Sequence, residues 1–527
     1  MSEYLLRISY GPVQPFISAS RKTRDLKAGS ELLVRLGKEM LEELAPAVTR
    51  YVFPSSPDGT CANILEVVVQ GDPKELARAA KERAIRYLVD AASKLKHVNQ
   101  QLAEAQAKTF LEFYAVWTEL DEGAHERLDG MMAARKTVRD FGRAPEPVGL
   151  PHPEDSQFVL YRPKSLLLPE YDSVLDYVPG AMFEISPEAR REYDLKQTEH
   201  LDALSLIKRS RKKPMPSTRS VAVADIPDLL TERAREIWNE AERILQGQSV
   251  DVGDWLANDM DEYEGPDQHR LNDLRKQLIE EMRDVEGFRI RPYYAVIHAD
   301  GDNMGKVLSA LPNVEALAEF SAKLDRFAEE VASKSPGYAT VVFAGGDDVL
   351  ALVPMNKGFA YARFLHNLFE EQMASYSPRP SLSVGIAFVH VKEDLREAVG
   401  FAMQMEKYAK AIDPEKNAFA IGARTRGGTE VLYRDKWDRA DVVEELFAFF
   451  EQKTGPRGFP YEVAEEAERL IAVGADQSVA RAAYLRLAGK KEGAVPDLPP
   501  IGGPQDLATF ANAMKLAHFT TRSGEEA

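Results

Sequence analysis

One cysteine, Cys61, stands among 527 residues. A lone thiol cannot close an intramolecular disulfide, and it leaves no cysteine set for a structural zinc ion. Long apolar runs are missing too. Nothing approaches the ~18 consecutive residues of a membrane span, and the opening MSEYLLRISYG lacks the charged start and apolar centre of a secretory leader. The cytoplasm is the expected compartment, with no membrane partner. Nine histidines are scattered with no His-Asp dipeptide and no HExxH pair, and no serine has a GxSxG context. Hydrolysis by a triad or by a histidine-held metal therefore has no support. Positive charge is also short: 67 Lys and Arg face 84 Asp and Glu, a net charge of −17. Such a chain is poorly equipped to grip nucleic acid by itself, since phosphate binding needs clustered Lys and Arg. It can still join an assembly whose other subunits bring the basic surface.

The sequence does have a focal stretch at 293–353. A strand-like run, Tyr293 to Ala299, leads to Asp300-Gly301-Asp302-Asn303-Met304-Gly305. Two helical segments follow, then Ala339–Ala344, Gly345-Gly346-Asp347-Asp348 and a second apolar run, Val349–Val353. Two apolar runs around Gly-Gly-Asp-Asp predict a β-hairpin with carboxylates at its tip. The turn alone is as often structural as functional. The strand-end acid Asp300 shifts the reading, because three converging acids need a cation and so point to Mg²⁺ (or Mn²⁺) and phosphates. Asp300, Asp347 and Asp348 are the candidate metal ligands, with the Gly301 carbonyl beside them. Asp347 and Asp348 are also the candidate catalytic pair, Asp348 as a second ligand or as an aid to the attacking 3′-hydroxyl. Asp302, Asn303, Gly345 and Gly346 are candidate nucleotide contacts: the glycines let a nucleotide approach the backbone, and the turn into a helix start offers free N–H groups. Asp302 is also compatible with facing solvent or orienting the turn. Lys410 is the candidate triphosphate contact, with Lys407 and Lys416 behind it. His298 reads as a strand filler.

At this length several domains are expected. Residues 1–137 follow a β-α-β-β-α-β order: a strand at 4–9, a helix to about 44, strands at 51–53 and 63–69, a helix at 73–96 and a strand at 111–120. This is the split βαβ, ferredoxin-like arrangement. Residues 138–288 are proline-rich and irregular, then helical; their basic run Lys208-Arg209-Ser210-Arg211-Lys212-Lys213 reads as a solvated loop, and the acidic run from Asp251 to Glu264 as a solvated linker or helix face. From 289 to 430 the palm-type order recurs. Asn313 caps a helix with Val314, Leu317, Phe320, Leu324, Phe327 and Val331 on one face, and the hairpin, a helix near 357–373, a strand at 381–389, a helix at 395–412 and a strand at 417–421 follow. Residues 431–527 are helical. The fold class is α+β, with two ferredoxin-like palm domains, an irregular and helical middle domain and a helical C-terminal domain.

On these residues the chain resembles the large palm-domain subunit of type III CRISPR effector complexes, most closely the type III-B (RAMP-module) form. Gly11-Pro12-Val13-Gln14-Pro15-Phe16-Ile17 with Arg21–Ser30 is similar to that family's first-palm motif. Glu199–Arg209 and Pro216-Ser217-Thr218 are similar to its middle region, His298–Gly305 and Gly345–Asp348 to its second palm, and Met405–Lys410 with Lys416-Asn417 to the helix that follows. The resemblance implies that the second palm condenses ATP into cyclic oligoadenylate when a guide-RNA complex binds target RNA. It also implies a degenerate first palm, with Asp58 the only acid at its own hairpin, that helps hold a nucleotide through Gln14, Ser18 and Arg21. The partners it implies are the other complex subunits, guide RNA and target RNA, with small helical subunits at the C-terminal domain; Lys208, Arg209, Arg211, Lys212 and Lys213 become candidates for RNA or subunit contact. The chain begins directly at the first palm, so cleavage by an N-terminal histidine-aspartate nuclease is not expected. Zinc is not expected either, since Pro163-Lys164-Ser165-Leu166 stands where relatives carry a cysteine. Two other readings remain open: a non-catalytic scaffold subunit, and a diguanylate-cyclase-like signalling enzyme.

Overall fold

A computed structural model describes residues 2–59, 63–138, 173–176, 185–196, 199–211, 215–248, 250–257, 260, 263, 265–425, 428–452 and 456–521. The chain divides into two compact units. The first comprises residues 1–215, 304–330 and 342–346; the second comprises 216–303, 331–341 and 347–527.

The first unit opens with β1 (Glu3–Gly11), α1 (Gln14–Ser18), α2 (Thr23–Leu44), β2 (Val48–Phe53), β3 (Ile64–Gln70) and α3 (Pro73–Ser93), followed by α4 (Gln100–Phe110), β4 (Glu112–Glu119) and α5 (Ala124–Thr137). The sheet order β2-β3-β1-β4, antiparallel throughout, is that of a ferredoxin-like domain. Asp72 starts α3 by accepting from the Lys74 N–H, with Pro73 in the first turn. α4 was not expected; its N-cap is Asn99, which accepts from the Leu102 N–H. Leu5, Val52, Val68 and Val116 share a core with Leu128 and Met132 of α5 and with Val314 and Leu317, which belong to the same unit.

The basic run departs from the solvated-loop reading. Residues after α6 (Pro187–Tyr193) form α7 (Ala203–Ser210), started by the Asp202 side chain. Lys208 and Arg209 are buried. The Lys208 ammonium donates to Phe16 O (2.8 Å), Ala19 O (3.0 Å) and Ser20 Oγ (2.9 Å), and stands 4.4 Å from the Phe16 ring centre. Arg209 pairs with Asp25 (2.7 Å) and Glu199 (3.1 Å). A buried charge is tolerable only when its donors are met, and here the partners come from stretches remote in sequence.

The second unit begins with α8 (Thr218–Ala222), α9 (Glu232–Leu245), α10 (Val252–Leu256) and α11 (Gln268–Met282). Trp238, Trp255, Leu271, Leu274 and Leu278 form its helical core, and the Trp255 indole donates to Leu271 O. Within the acidic run, Asp251 and Asp254 form a capping box on α10, so these two are structural rather than a solvated face. In chain order come β5 (Tyr293–Asp302), then α12 (Met304–Ser309) and α13 (Val314–Lys334), which lie wholly and mostly in the first unit, β6 (Thr340–Gly345), which the division crosses, and, again in the second unit, β7 (Asp348–Pro354), α14 (Gly358–Met373), β8 (Ser381–His390), α15 (Leu395–Lys410), β9 (Ala418–Arg424) and β10 (Glu430–Lys436). As expected, the Asn313 side chain caps α13 through the Ala316 N–H. The sheet order is β10-β9-β8-β5-β7-β6. Its β8-β5-β7-β6 part repeats the ferredoxin-like order; β9 adds in parallel to β8, and β10, beyond the expected boundary at 430, closes the row. Helices α16 (Ala440–Glu451), α17 (Phe459–Ala472), α18 (Gln477–Ala488) and α19 (Pro504–Phe519) follow. Among the described residues, no helix is long and apolar enough to cross a membrane.

Candidate active site

β5 continues to Asp302, two residues past the expected end, paired with β8 so that Asp300 faces Ser383 and Asp302 faces Ser381. Alternation puts His298, Asp300 and Asp302 on one face of the strand. α15 reaches the end of β5 because it packs directly on β8 at Gly385. A side-chain carbon at Gly385 would lie 2.2 Å from Glu406 N and 2.3 Å from Ala402 O.

Between β6 and β7 the chain turns through Gly346, in the left-handed region (φ 63°), and Asp347. The Asp347 carboxyl lies against the end of β5: a carbon added at Gly301 would meet its Oδ2 at 2.3 Å, and its Cβ and Cγ at 2.9 and 3.0 Å. Burial, then the charges of Asp300 and Asp348, push the Asp347 pKa up to about 7. Asp348 opens β7, with Oδ1 3.4 Å from His298 Nε2. His298 is buried, which lowers its pKa, so the ring is neutral at pH 7; its Nδ1 has no hydrogen bond.

Lys410, at the end of α15, is not free to await a phosphate. Its ammonium pairs with Asp300 Oδ2 and Glu406 Oε1 (2.8 Å) and donates to Gly301 O (3.2 Å). Burial opposes its charge, but Asp300 and Glu406 outweigh it and raise the pKa to about 12. Asp302, read as a nucleotide contact, a solvent-facing acid or a residue orienting its turn, is turned inward. Its Oδ2 accepts from Ser381 Oγ (2.9 Å), Ser383 Oγ (2.8 Å) and Asn417 N (3.1 Å), clamping the turn before β9; burial raises its pKa. Asn303, at φ 55°, donates to Pro414 O (3.4 Å) in the same turn.

The expected convergence of three acids is only partial. All the donors are oxygens, the type that Mg²⁺ and Mn²⁺ take. Among the described residues, however, no three His, Cys, Asp or Glu side chains are grouped as metal ligands. Like charges repel at short range, and Asp300 is engaged by an ammonium. Asp347, Asp348, Asp300 and the Gly301 carbonyl fit a divalent cation in chemistry and neighbourhood, with Lys410 on two of them.

Lys407 is exposed on α15, and Lys416 is half-buried at φ 60°, its carbonyl accepting from Lys436. In the first unit, Gln14 and Arg21 are exposed, Asp58 is exposed, and Ser18 Oγ donates to Pro15 O at 3.4 Å. Burial removes Lys208 and Arg209 from the RNA-contact candidates. Arg211 donates to the Tyr87 hydroxyl (2.8 Å). Lys212, Lys213 and the 163–166 stretch lie outside the described residues. The sequence reading missed Glu406, Ser381, Ser383, Asn417 and His366, whose Nε2 lies 3.0 Å from Asn417 Oδ1. Glu406 and Asn417 lay within the stretches similar to the family's helix but were given no role; Glu406 had the further signal of its i,i+4 spacing from Lys410.

Residues 293–420 match the Cas10/Cmr2 second palm domain, and residues 5–115 match the N-terminal domain of the CRISPR-associated protein Cmr2. The CRISPR system Cmr subunit Cmr2 of Pyrococcus furiosus is 29% identical over an alignment covering 35% of this chain and 25% of that relative. The match thus spans about a quarter of the relative's length. The fold is shared with a chain of the Type III-B Cmr-beta bound to cognate target RNA: TM-score 0.64, 13% identity, 99% of this chain and 83% of that one. It is also shared with a chain of the Csm1-Csm4 cassette in complex with cA4: TM-score 0.51, 14% identity, 99% of this chain and 70% of that one. Two separate segments of the chain thus match, in the expected order, the N-terminal domain of Cmr2 and the second palm domain of Cas10/Cmr2, and the fold is shared with chains of the Type III-B Cmr-beta and of the Csm1-Csm4 cassette.

Proposed function

We propose that this chain is the large subunit of a type III CRISPR ribonucleoprotein and that its second palm joins ATP into cyclic oligoadenylate when target RNA binds. The observation that carries the reading is the hairpin carboxylate Asp347, pressed on the Gly301 backbone between Asp300 and Asp348 with its pKa raised to about 7. A structural hairpin has no need of such crowding; a site for cations and a triphosphate does. Asp347, Asp348, Asp300 and the Gly301 carbonyl would hold Mg²⁺ or Mn²⁺. When bound, these ions supply the charge that offsets the triphosphate and makes the 3′-hydroxyl a better nucleophile. Gly345 and Gly346 keep the hairpin tip open to the nucleotide. Asp348, with Oδ1 toward His298, takes the hydroxyl proton as the 3′-oxygen bonds to the α-phosphorus and pyrophosphate leaves. Lys410, Lys407 and Lys416 are the proposed contacts for the triphosphate; in the first palm, Gln14, Ser18 and Arg21 are proposed separately as nucleotide contacts. Other complex subunits, guide RNA, target RNA and small helical subunits at the C-terminal helices are its proposed partners.

The test is incubation of the assembled complex with ATP, Mg²⁺ and matching target RNA, beside an Asp347→Ala/Asp348→Ala variant, with products identified by mass spectrometry. Cyclic adenylates that vanish in the assembled variant are the expected result. An intact, target-bound wild-type complex that makes none would leave a scaffold role; cyclic diguanylate from GTP would favour the diguanylate-cyclase-like reading.

A further inference from the structure

We infer that Lys410 is a built-in counter-cation that occupies the oxygens meant for a divalent ion and gives them up when a triphosphate arrives. The inference rests on the metal-dependent reading above.

The Lys410 ammonium sits among oxygens of Asp300, Gly301 and Glu406, with Asp302 Oδ1 3.9 Å away and itself lacking a hydrogen bond. Two of these, the Asp300 carboxylate and the Gly301 carbonyl, are assigned to the cation. An ammonium and a divalent ion cannot both occupy them at bonding distance, so metal entry requires the ammonium to leave. The geometry provides for its departure. Glu406 is buried one helical turn behind Lys410 on α15, and α15 is fixed on β8 at Gly385. The helix therefore stays put while the four-carbon lysine stem swings, with Glu406 as its tether. Triphosphate oxygens are the natural destination for the released charge.

Metal and nucleotide are thereby coupled: a triphosphate that draws Lys410 away uncovers Asp300, and by linkage the metal raises nucleotide affinity by the same factor. Without nucleotide, Lys410 keeps the acids neutralised and the metal affinity low.

The experiment is Mn²⁺ titration of the purified full-length chain, with free Mn²⁺ read by electron paramagnetic resonance, with and without a non-hydrolysable ATP analogue. Lys410→Met should bind Mn²⁺ at least tenfold more tightly than wild type in the absence of nucleotide. Lys410→Arg should stay near wild type, and adding Asp300→Asn to Lys410→Met should abolish the gain. Glu406→Gln/Lys410→Met removes the carboxylate left unpaired and serves where the single variant fails to fold. A Lys410→Met affinity within twofold of wild type, while wild type binds Mn²⁺ with the analogue, overturns the inference and leaves the metal site standing. Absence of Mn²⁺ binding in every variant, with or without the analogue, overturns both.

Discussion

Gly301→Ala isolates the contact on which the candidate site is built. The new methyl carbon would stand 2.3 Å from Asp347 Oδ2, whereas ordinary contact begins near 3.4 Å, so the carboxylate must retreat by about 1 Å. Rotating the carboxyl does not relieve the clash, because Asp347 Cβ and Cγ are also within 3.0 Å. The hairpin tip itself has to move. Displacements of ~1 Å in a catalytic group cost about 100-fold in rate, or ~2.7 kcal/mol of barrier. Backbone conformation is no obstacle, since Gly301 does not have positive φ, but the overpacked contact itself should cost about 1–3 kcal/mol of stability. The assay is target-triggered turnover of ATP by the reconstituted complex, with melting measured in parallel. Turnover within threefold of wild type at unchanged melting would refute the claim that Gly301 sets the position of Asp347.

Three further outcomes follow from packing and burial. Gly385→Ala places a carbon 2.2 Å from the Glu406 backbone nitrogen; with rigid backbone on both sides it should destabilise by about 3 kcal/mol, and unchanged urea unfolding would contradict this. Asp302→Ala strips an acceptor from two serine hydroxyls and the Asn417 N–H at a cost of about 2–4 kcal/mol; hydrogen exchange should show residues 413–418 deprotected, and retained protection would rule out the clamp. Burial lowers the Lys208 pKa from 10.5 to about 8, so between those values the unfolded chain binds more protons and stability rises with pH. Relative to Lys208→Met, wild type should gain up to ~3 kcal/mol from pH 8 to 10.5, with no relative change below pH 8. A flat difference in unfolding free energy across that window would refute it.

The apolar runs told most of the fold. Val296, Val342 and Ile386 announce their strands by composition, Asn313 announces its helix by capping, and the two ferredoxin-like orders follow from the sequence of elements. Local pattern does not specify which acid turns inward. Asp300 and Asp302 share a strand face, yet Asp300 is half-buried against Lys410 while Asp302 is fully buried on the Ser381 and Ser383 hydroxyls. Lys410 was legible as important but not as paired, because Asp300 lies 110 positions earlier. Lys208 and Arg209 mislead for the same reason: a charge run reads as solvated until Asp25 and Glu199 are brought to it by the fold. β10 was overlooked because its alternation is short and its edge position leaves half of it uncovered.

Lys208 has a consequence for anyone who builds chimeras of this chain. Its ammonium latches the end of α1, which carries Ser18, and the turn that leads to Arg21, yet it is encoded nearly two hundred codons downstream. A first palm transplanted into another scaffold without residues 199–211 would arrive with that segment unlatched and Asp25 stripped of its arginine. The smallest portable cassette is therefore discontinuous, and a library of crossover points should treat the two stretches as a single inherited block.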